Sequence, residues 1–308
     1  MASTTNQYSP IFHVLCGAFL ISFSGIFVKL AHVSPTASGF YRVGFGAVFL
    51  FLGVLLKCEF KMPHMRQLLL IACCGLTFAL DLFYWHEAIM YIGPGLATLI
   101  GNFQVFLLAG IGIFFLGEKI KIRFIIAIPL AILGLSLIVG MSWENLPGNY
   151  KTGLCYALLT AFCYTSFLIT LRKIQEERGQ SFFLLLMLVS LATAIYLGLK
   201  MVYTGDSFAI PDTQSFFALI GLGLSSQTVG WILIATAMPK IPASLTGLTL
   251  LLQPTLSFVW DVLFFNRPTD LVNWIGVVIT LIAIYMGVTG KIAGNKLHKK
   301  LQSKPTDL

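Results

Sequence analysis

Arg42, Asp81 and Glu87 are ionisable residues set within stretches that are otherwise almost wholly apolar. A charge in such surroundings costs about 2.5–3.5 kcal/mol to place in lipid, so each demands a compensating role. Two roles suit these residue types. Arg42 and Asp81 can form a buried ion pair that neutralises both and fixes packing. Alternatively, the Arg42 guanidinium can grip a carboxylate or phosphate of a bound molecule through two hydrogen bonds, with Asp81 or Glu87 balancing the charge or carrying a proton. Asp81, Tyr84, Trp85 and Ala88 fall at i, i+3, i+4 and i+7, which is one face of a helix. An acid beside two aromatic rings suits a cationic or planar group, although an aromatic belt at a membrane interface accounts for Trp85 equally well. Other polar residues interrupt apolar runs at Asn102, Gln104, Tyr164 (with Thr160 on its face), Gln227 (with Trp231) and Gln253. These either line a central cavity or hydrogen-bond between helices. Lys29 and Asp261 lie nearer the ends of their apolar runs, where a lysine can extend its amine to the headgroups. The six cysteines contain no CxxC pair, and no P-loop, GxSxG or HExxH motif is present. No ATP-driven pump, cofactor, metal site or enzymatic activity is therefore expected.

The elements that must hold these residues are membrane helices. Hydrophobic residues make up 57% of the chain, charged residues only 10%, and the mean hydropathy is +0.87. A soluble domain carries about 25% charged residues, so lipid must act as solvent for much of this surface. Spanning segments are predicted at 11–31, 36–56, 67–90, 94–115, 122–141, 150–172, 181–203, 215–238, 242–265 and 272–290. The net charge of +8 reads as topology and not as nucleic-acid affinity. Most Lys and Arg residues fall on one side: in the loops after the second, fourth, sixth and eighth segments and in the C-terminal tail, among them Lys57, Arg66, Lys119, Arg123, Arg172, Lys240 and Lys300. That bias predicts cytoplasmic termini.

The chain also repeats. Residues 88–118 align without a gap to 237–267 at a constant offset of 149, matching Ala88 with Ala237, Ile92 with Ile241, Leu99 with Leu248 and Gln104 with Gln253. The glutamine pair is the informative one, because a Gln inside a long apolar run is unfavourable in lipid. The expected units are 11–141 and 150–290, followed by a basic cytoplasmic tail, 291–308, without fixed structure. Five helices per unit is an odd number, so the second unit must enter the membrane from the opposite side. The expected fold class is an all-α integral membrane protein, ten transmembrane helices as two inverted five-helix repeats with a site between them.

Several motifs then carry a family likeness: SGIFVK (24–29), the spacing from Pro35 to Arg42, WHEAIMYIGPGLATLI (85–100), FFLGEK (114–119) and LLLQPTLSFVW (250–260). In this order over residues 11–290, the chain resembles a ten-helix member of the drug/metabolite transporter superfamily, the EamA group. It departs from that pattern where Gly117-Glu118 at the end of the fourth helix has Asn266-Arg267 as its second copy, and where 81–89 is unusually polar. The resemblance implies transport of small metabolites, with export the common direction. Joined to the mixed charge around Arg42 and Asp81, it leads to the expectation of a secondary transporter of a small polar or zwitterionic metabolite, such as an amino acid or derivative, working by alternating access. Two other classes stay open: a polytopic enzyme acting on a lipid-linked substrate, for which His86-Glu87 lacks an adjacent nucleophile, and a passive channel or scaffold. Expected partners are a small-molecule substrate and membrane lipids, with no nucleic acid and a homodimer left open. The expected location is the plasma membrane, as in a bacterial inner membrane.

Overall fold

The computed structural model describes residues 9–57, 60–119, 121–140, 149–176 and 181–302, with side chains among 10–289. Its elements are α1 (Ser9–Ser22), α2 (Ser24–Leu30), α3 (Pro35–Lys57), α4 (Met65–Gly101), α5 (Gln104–Phe114), α6 (Ile122–Val139), α7 (Tyr150–Glu176), α8 (Phe182–Thr204), α9 (Thr213–Gly221), a π-helical segment (Leu222–Gly230), α10 (Trp231–Ala237), α11 (Ala243–Leu250), α12 (Leu252–Phe265) and α13 (Leu271–Gln302). Helix is the expected outcome where lipid offers the backbone no hydrogen bonds.

Among the described residues, nine helical stretches are long and apolar enough to cross a membrane, and one of them, Met65–Phe114, is 50 residues long. Straight, it would run about 75 Å, more than twice the ~30 Å hydrocarbon core. It is not straight. Gly93 takes φ 76°, ψ 161°, a conformation open to glycine, and Pro94 follows as the first residue of a new helix. The stretch therefore holds two spans, which makes ten among the described residues of this all-α membrane protein.

Several spans are interrupted. The fourth breaks between α4 and α5 at Asn102–Phe103, and the ninth between α11 and α12 at Leu251. These positions differ by the repeat offset of 149. In the ninth span Pro254 has no N–H to give the Leu250 carbonyl. In the fourth, the Asn102 side chain donates back to the Thr98 carbonyl at 2.8 Å. The first span, predicted as continuous over 11–31, is broken at Phe23. The Ser22 and Ser24 hydroxyls flanking the break bond back to the Phe19 and Ile21 carbonyls, each at 2.6 Å. In the eighth span the Thr228 hydroxyl reaches the Gly223 carbonyl five residues back at 2.9 Å, in keeping with the wider π turn. Gly46 on α3 packs against this segment: a Cβ there would stand 2.4 Å from Gln227 Cγ.

Helices pair across the halves. α3 lies against α8, α5 against α11, and α6 against α13. α7 packs on α4 and α5, and α1 correspondingly packs on the π segment, α10 and α12. Exchanging the halves maps this pattern onto itself. Asp212 caps α9, accepting from Ser215 N at 2.7 Å and Ser215 Oγ at 3.0 Å, and faces His32 Nδ1 at 2.9 Å. The backbone N–H of Ser215 foremost, then His32, holds this carboxyl below the usual carboxylate range.

The tail expected to lack structure begins as a continuation of α13 to Gln302. Residues 303–308, Cys58 and the stretches 141–148 and 177–180 lie outside the described residues. The five described cysteines are free thiols; Cys74 is buried, whereas Cys73 and Cys155 lie on exposed helix faces and not in the core.

Candidate functional site

The breaks converge on a cavity of about 190 Å³. Its wall includes Arg42 of α3, Asp81 and Trp85 of α4, Asn102 at the break in the fourth span, Thr160 and Tyr164 of α7, Trp231 of α10 and Gln253 with Pro254 of α12. Phe78 lies on the same wall; it stacks on Phe167 at 4.3 Å between centroids, and Trp231 meets Phe167 edge-on at 5.0 Å. Phe78 and Trp231 face the cavity, and Phe167 packs behind them.

Opposite charges meet in this space. Arg42 and Asp81 interact electrostatically, yet among the described residues no contact within 4.0 Å joins them. The ion pair weighed from the sequence is thus not formed. Arg42 is held instead by Gln227, whose Oε1 accepts from Arg42 Nε at 3.3 Å, and its guanidinium lies 5.9 Å from the Phe78 ring centroid. Gln227 in turn donates through Nε2 to Ser190 Oγ at 3.0 Å. Asp81 is 8% exposed and accepts no hydrogen bond from the described residues.

Three further polar atoms in the wall are buried without a well-formed hydrogen bond: Thr160 Oγ1, Trp231 Nε1 and Gln253 Nε2, the last of them beside the Tyr164 hydroxyl. Buried polar groups are nearly always satisfied, so three poorly satisfied ones around a single cavity call for something that enters it. The origin of one of them lies in the repeat. Gln104 donates from Nε2 to the Gly247 carbonyl at 3.4 Å, bridging the fourth and ninth spans. Its counterpart at the repeat offset of 149 would be Gln253, for Gln104, on the Thr98 carbonyl, for that of Gly247. That carbonyl already accepts from the backbone N–H of Asn102 at 3.0 Å and from its side chain at 2.8 Å. Leu251, the counterpart of Asn102, cannot do the same for Gly247. Gln253 is therefore left facing the cavity beside Tyr164, while Gln104 Nε2 is engaged in the helix contact.

Of the residues singled out from sequence, Arg42, Asp81, Trp85, Asn102, Tyr164, Trp231 and Gln253 line this cavity. Trp85 also donates from Nε1 to Thr98 Oγ1 at 3.1 Å. Tyr84 does not line it; the ring stacks on Tyr156 at 5.9 Å. Gln104 is fully buried in the helix contact just described, and Gln227 acts behind Arg42. Glu87 is half-buried and off the wall. Lys29 and Asp261 pair with each other at 2.7 Å, away from the cavity, with Arg267 at 3.8 Å from the same carboxylate. Other polar side chains of the ninth span turn from the cavity: Thr249 bonds to its own helix through the Leu245 carbonyl, while Ser257 and Trp260 bond to Ser22. Phe78 and Ser190 had no signal, being an ordinary Phe in an apolar run and a lone serine.

Comparison with known proteins agrees with this architecture. The model of the EamA-like transporter family matches twice, over residues 9–140 and 151–289. An uncharacterized transporter of Clostridium kluyveri is 22% identical over 244 residues, covering 74% of this chain and 75% of its own length. A crystal structure of a protein with 15% sequence identity superposes with a TM-score of 0.79, over 92% of this chain and 99% of its own, a likeness that bears on the fold alone. Because the family model covers most of the sequence in two copies, the chain belongs to the EamA-like transporter family.

Proposed function

We propose that this multi-pass membrane transporter carries a small zwitterionic metabolite, of the amino-acid class, between the two sides of the membrane by alternating access of its halves, 11–141 and 150–290. The observation that carries the reading is the composition of one cavity wall. Arg42, Trp231 Nε1 and Gln253 Nε2 offer donors suited to a carboxylate, while the Asp81 carboxylate lacks a donor and suits an ammonium group. The cavity volume, about 190 Å³, lies below the ~300 Å³ at which drug-sized sites begin, which favours a small metabolite over a bulky apolar drug. The inverted arrangement is supported by helix breaks one repeat offset apart and by pairing across the halves. Asp81 is the carboxylate on the wall and the favoured proton carrier; Glu87, half-buried on the same helix, does not line the wall. The Lys and Arg bias supports cytoplasmic termini and suits a bacterial inner membrane, and export is the direction that the family resemblance favours.

The test is counterflow in proteoliposomes loaded with unlabelled glycine, alanine, leucine or glutamate and challenged with the labelled compound outside. A carrier shows saturation and counterflow, which a channel lacks. Arg42→Ala is expected to abolish flux while the protein still inserts and purifies. Flux that survives this substitution refutes the carboxylate contact.

A further inference from the structure

The end of the bundle remote from the cavity is fastened by a contact between the halves. Glu118 follows the fourth span, and its carboxylate sits on the first turn of the ninth. Oε1 accepts from Ala243 N at 2.6 Å, and Oε2 accepts from Ser244 N at 3.4 Å and from the Ser244 hydroxyl. α11, which starts at Ala243, gains an anionic cap against the positive end of its dipole. Below the cavity, Leu108, Leu168, Arg172, Met238 and Thr246 close around Ala243.

The repeat allows each part of this contact to be sought at the other end, 149 residues away. Glu118 corresponds to Arg267, which turns to its own span, 3.8 Å from Asp261 and 5.0 Å from the Phe258 ring. Ala243 corresponds to Pro94, which has no N–H to donate. Ser244 corresponds to Gly95, which has no hydroxyl, and a Cβ there would stand 2.8 Å from Val139 Cγ1. All three components are missing from the second copy. The Glu118 end is latched across the halves by a part-buried carboxylate, whereas at the other end the ion pairs that cross the halves among the described residues, Lys29 with Asp261 and His32 with Asp212, are exposed and correspondingly weak.

We infer that Glu118 with the Ala243–Ser244 turn is a one-sided gate latch, which sets the resting state to be closed at the Glu118 end and open toward the Gly93–Pro94 end. The cavity wall fits this state, because Asp81, Trp85 and Thr98 all lie in the parts of their spans nearer Gly93. The inference rests on the alternating-access reading but not on the substrate class. Release of the latch is then a required step whenever the cavity is to face the Glu118 side, and it falls on the side that the Lys and Arg bias makes cytoplasmic.

The test needs no transported compound. The full-length chain with its six cysteines replaced carries a single reporter, Thr246→Cys beneath the latch or Thr98→Cys in the cavity wall. Each is labelled with a membrane-impermeant maleimide in sealed vesicles of both orientations. Glu118→Ala is expected to raise the labelling rate at 246 by about tenfold and to lower it at 98 by a comparable factor, as for two faces of one equilibrium. Ser244→Ala, which leaves the N–H contacts, is expected to shift both in the same directions but less. A rise at 246 with no change at 98 means the carboxylate is only a local helix cap, and no change at either site means it does not hold the gate; both overturn the inference. Should the cysteine-free chain fail to fold, hydrogen–deuterium exchange of the native-cysteine chain gives the same reading: Glu118→Ala must speed exchange over 243–250 and slow it over 94–101. Absence of amino-acid counterflow would refute the substrate class and leave these outcomes untouched.

Discussion

Asn102 and Gln253 provide a quantitative test of how the cavity acquires its polarity. In the proposed bound state Gln253 Nε2 donates to a substrate carboxylate. A hydrogen bond to a charged group contributes about 1.5–3 kcal/mol, so Gln253→Met is expected to raise Kd roughly 10- to 150-fold. Asn102→Leu installs the residue found at its counterpart, Leu251, and removes the donor lying 2.8 Å from the Thr98 carbonyl. That carbonyl keeps the Asn102 backbone N–H at 3.0 Å but regains a lone pair. Gln253 can then take the position that Gln104 takes on Gly247. Substrate must first break that bond, worth about 0.5–1.5 kcal/mol net, so Kd is expected to rise roughly two- to twelvefold. The decisive arm is the double variant. With Met at 253, Asn102→Leu should have no further effect, leaving a coupling energy about equal to the effect of Asn102→Leu alone. The assay is isothermal titration in nanodiscs with the compound that shows the strongest counterflow. Equal effects of Asn102→Leu in both backgrounds would mean that Asn102 touches substrate itself or acts elsewhere, and would refute the account.

Other consequences follow from single contacts. Gly46→Ala places a methyl 2.4 Å from Gln227 Cγ, an overpacking of about 1–3 kcal/mol that also displaces the anchor of Arg42. Both Tm and substrate affinity should fall, whereas Gly44→Ala on the same helix, with nothing within 4 Å, should lower neither. Lys29→Met should lower stability by less than about 1 kcal/mol, since its amine is half exposed and Arg267 still faces Asp261. Asp261→Asn deprives both cations and should lower Tm further in the same detergent. Asp212 has a depressed carboxyl, so its cap contributes fully above the usual Asp pKa of about 3.9 and is lost as pH falls through the lower folded value. Tm measured from pH 6 to pH 3 should drop at the acid end for the parent chain and drop less for Asp212→Ala.

The membrane fold was legible because lipid leaves few options. Apolar runs of spanning length must become helices, and Gly93-Pro94 could only be a break. The cavity was partly legible for the same reason: a polar residue such as Arg42, Asp81 or Gln253 within an apolar run must find a partner. Sequence shows that a partner is needed but not which one. Gln104 and Gln253 are equivalent by spacing, and their different fates turn on Asn102 two residues before one and Leu251 two residues before the other. Tyr84 shares a helix face with Asp81, yet a face about 100° wide can meet both a cavity and a neighbouring helix, and Tyr156 was there to stack on. Arg42 and Asp81 stand beyond ion-pair distance, and the neighbour that does reach the guanidinium, Gln227 at Nε, is carried by a π turn that hydropathy does not reveal.

The departures from symmetry bear on one another. Strict repeats would make the two faces of the carrier equal in free energy, and a bound substrate could shift the balance only by its differential contacts with the two states. The latch tilts the empty carrier toward the cavity-open face. The wall atoms without a well-formed hydrogen bond lie on three separate elements: Thr160 on α7, Trp231 on α10 and Gln253 on α12. On the proposed reading, a substrate that satisfies all three draws those elements together and closes that face. α12 belongs to the same span as α11, whose first turn Glu118 holds, and the two are separated only by the break at Leu251. Closure at Gln253 therefore strains the span that the latch restrains. The hydrogen bonds gained in the cavity and those lost at Glu118 are similar in number and kind, so the two faces can lie within a few kcal/mol of each other when substrate is bound and not when the cavity is empty. Removing the latch should accordingly leave a carrier that switches faces without substrate, measurable as a loss of the substrate dependence of Thr98→Cys protection; protection that stays strictly substrate-dependent in Glu118→Ala would break this link between the gate and the site.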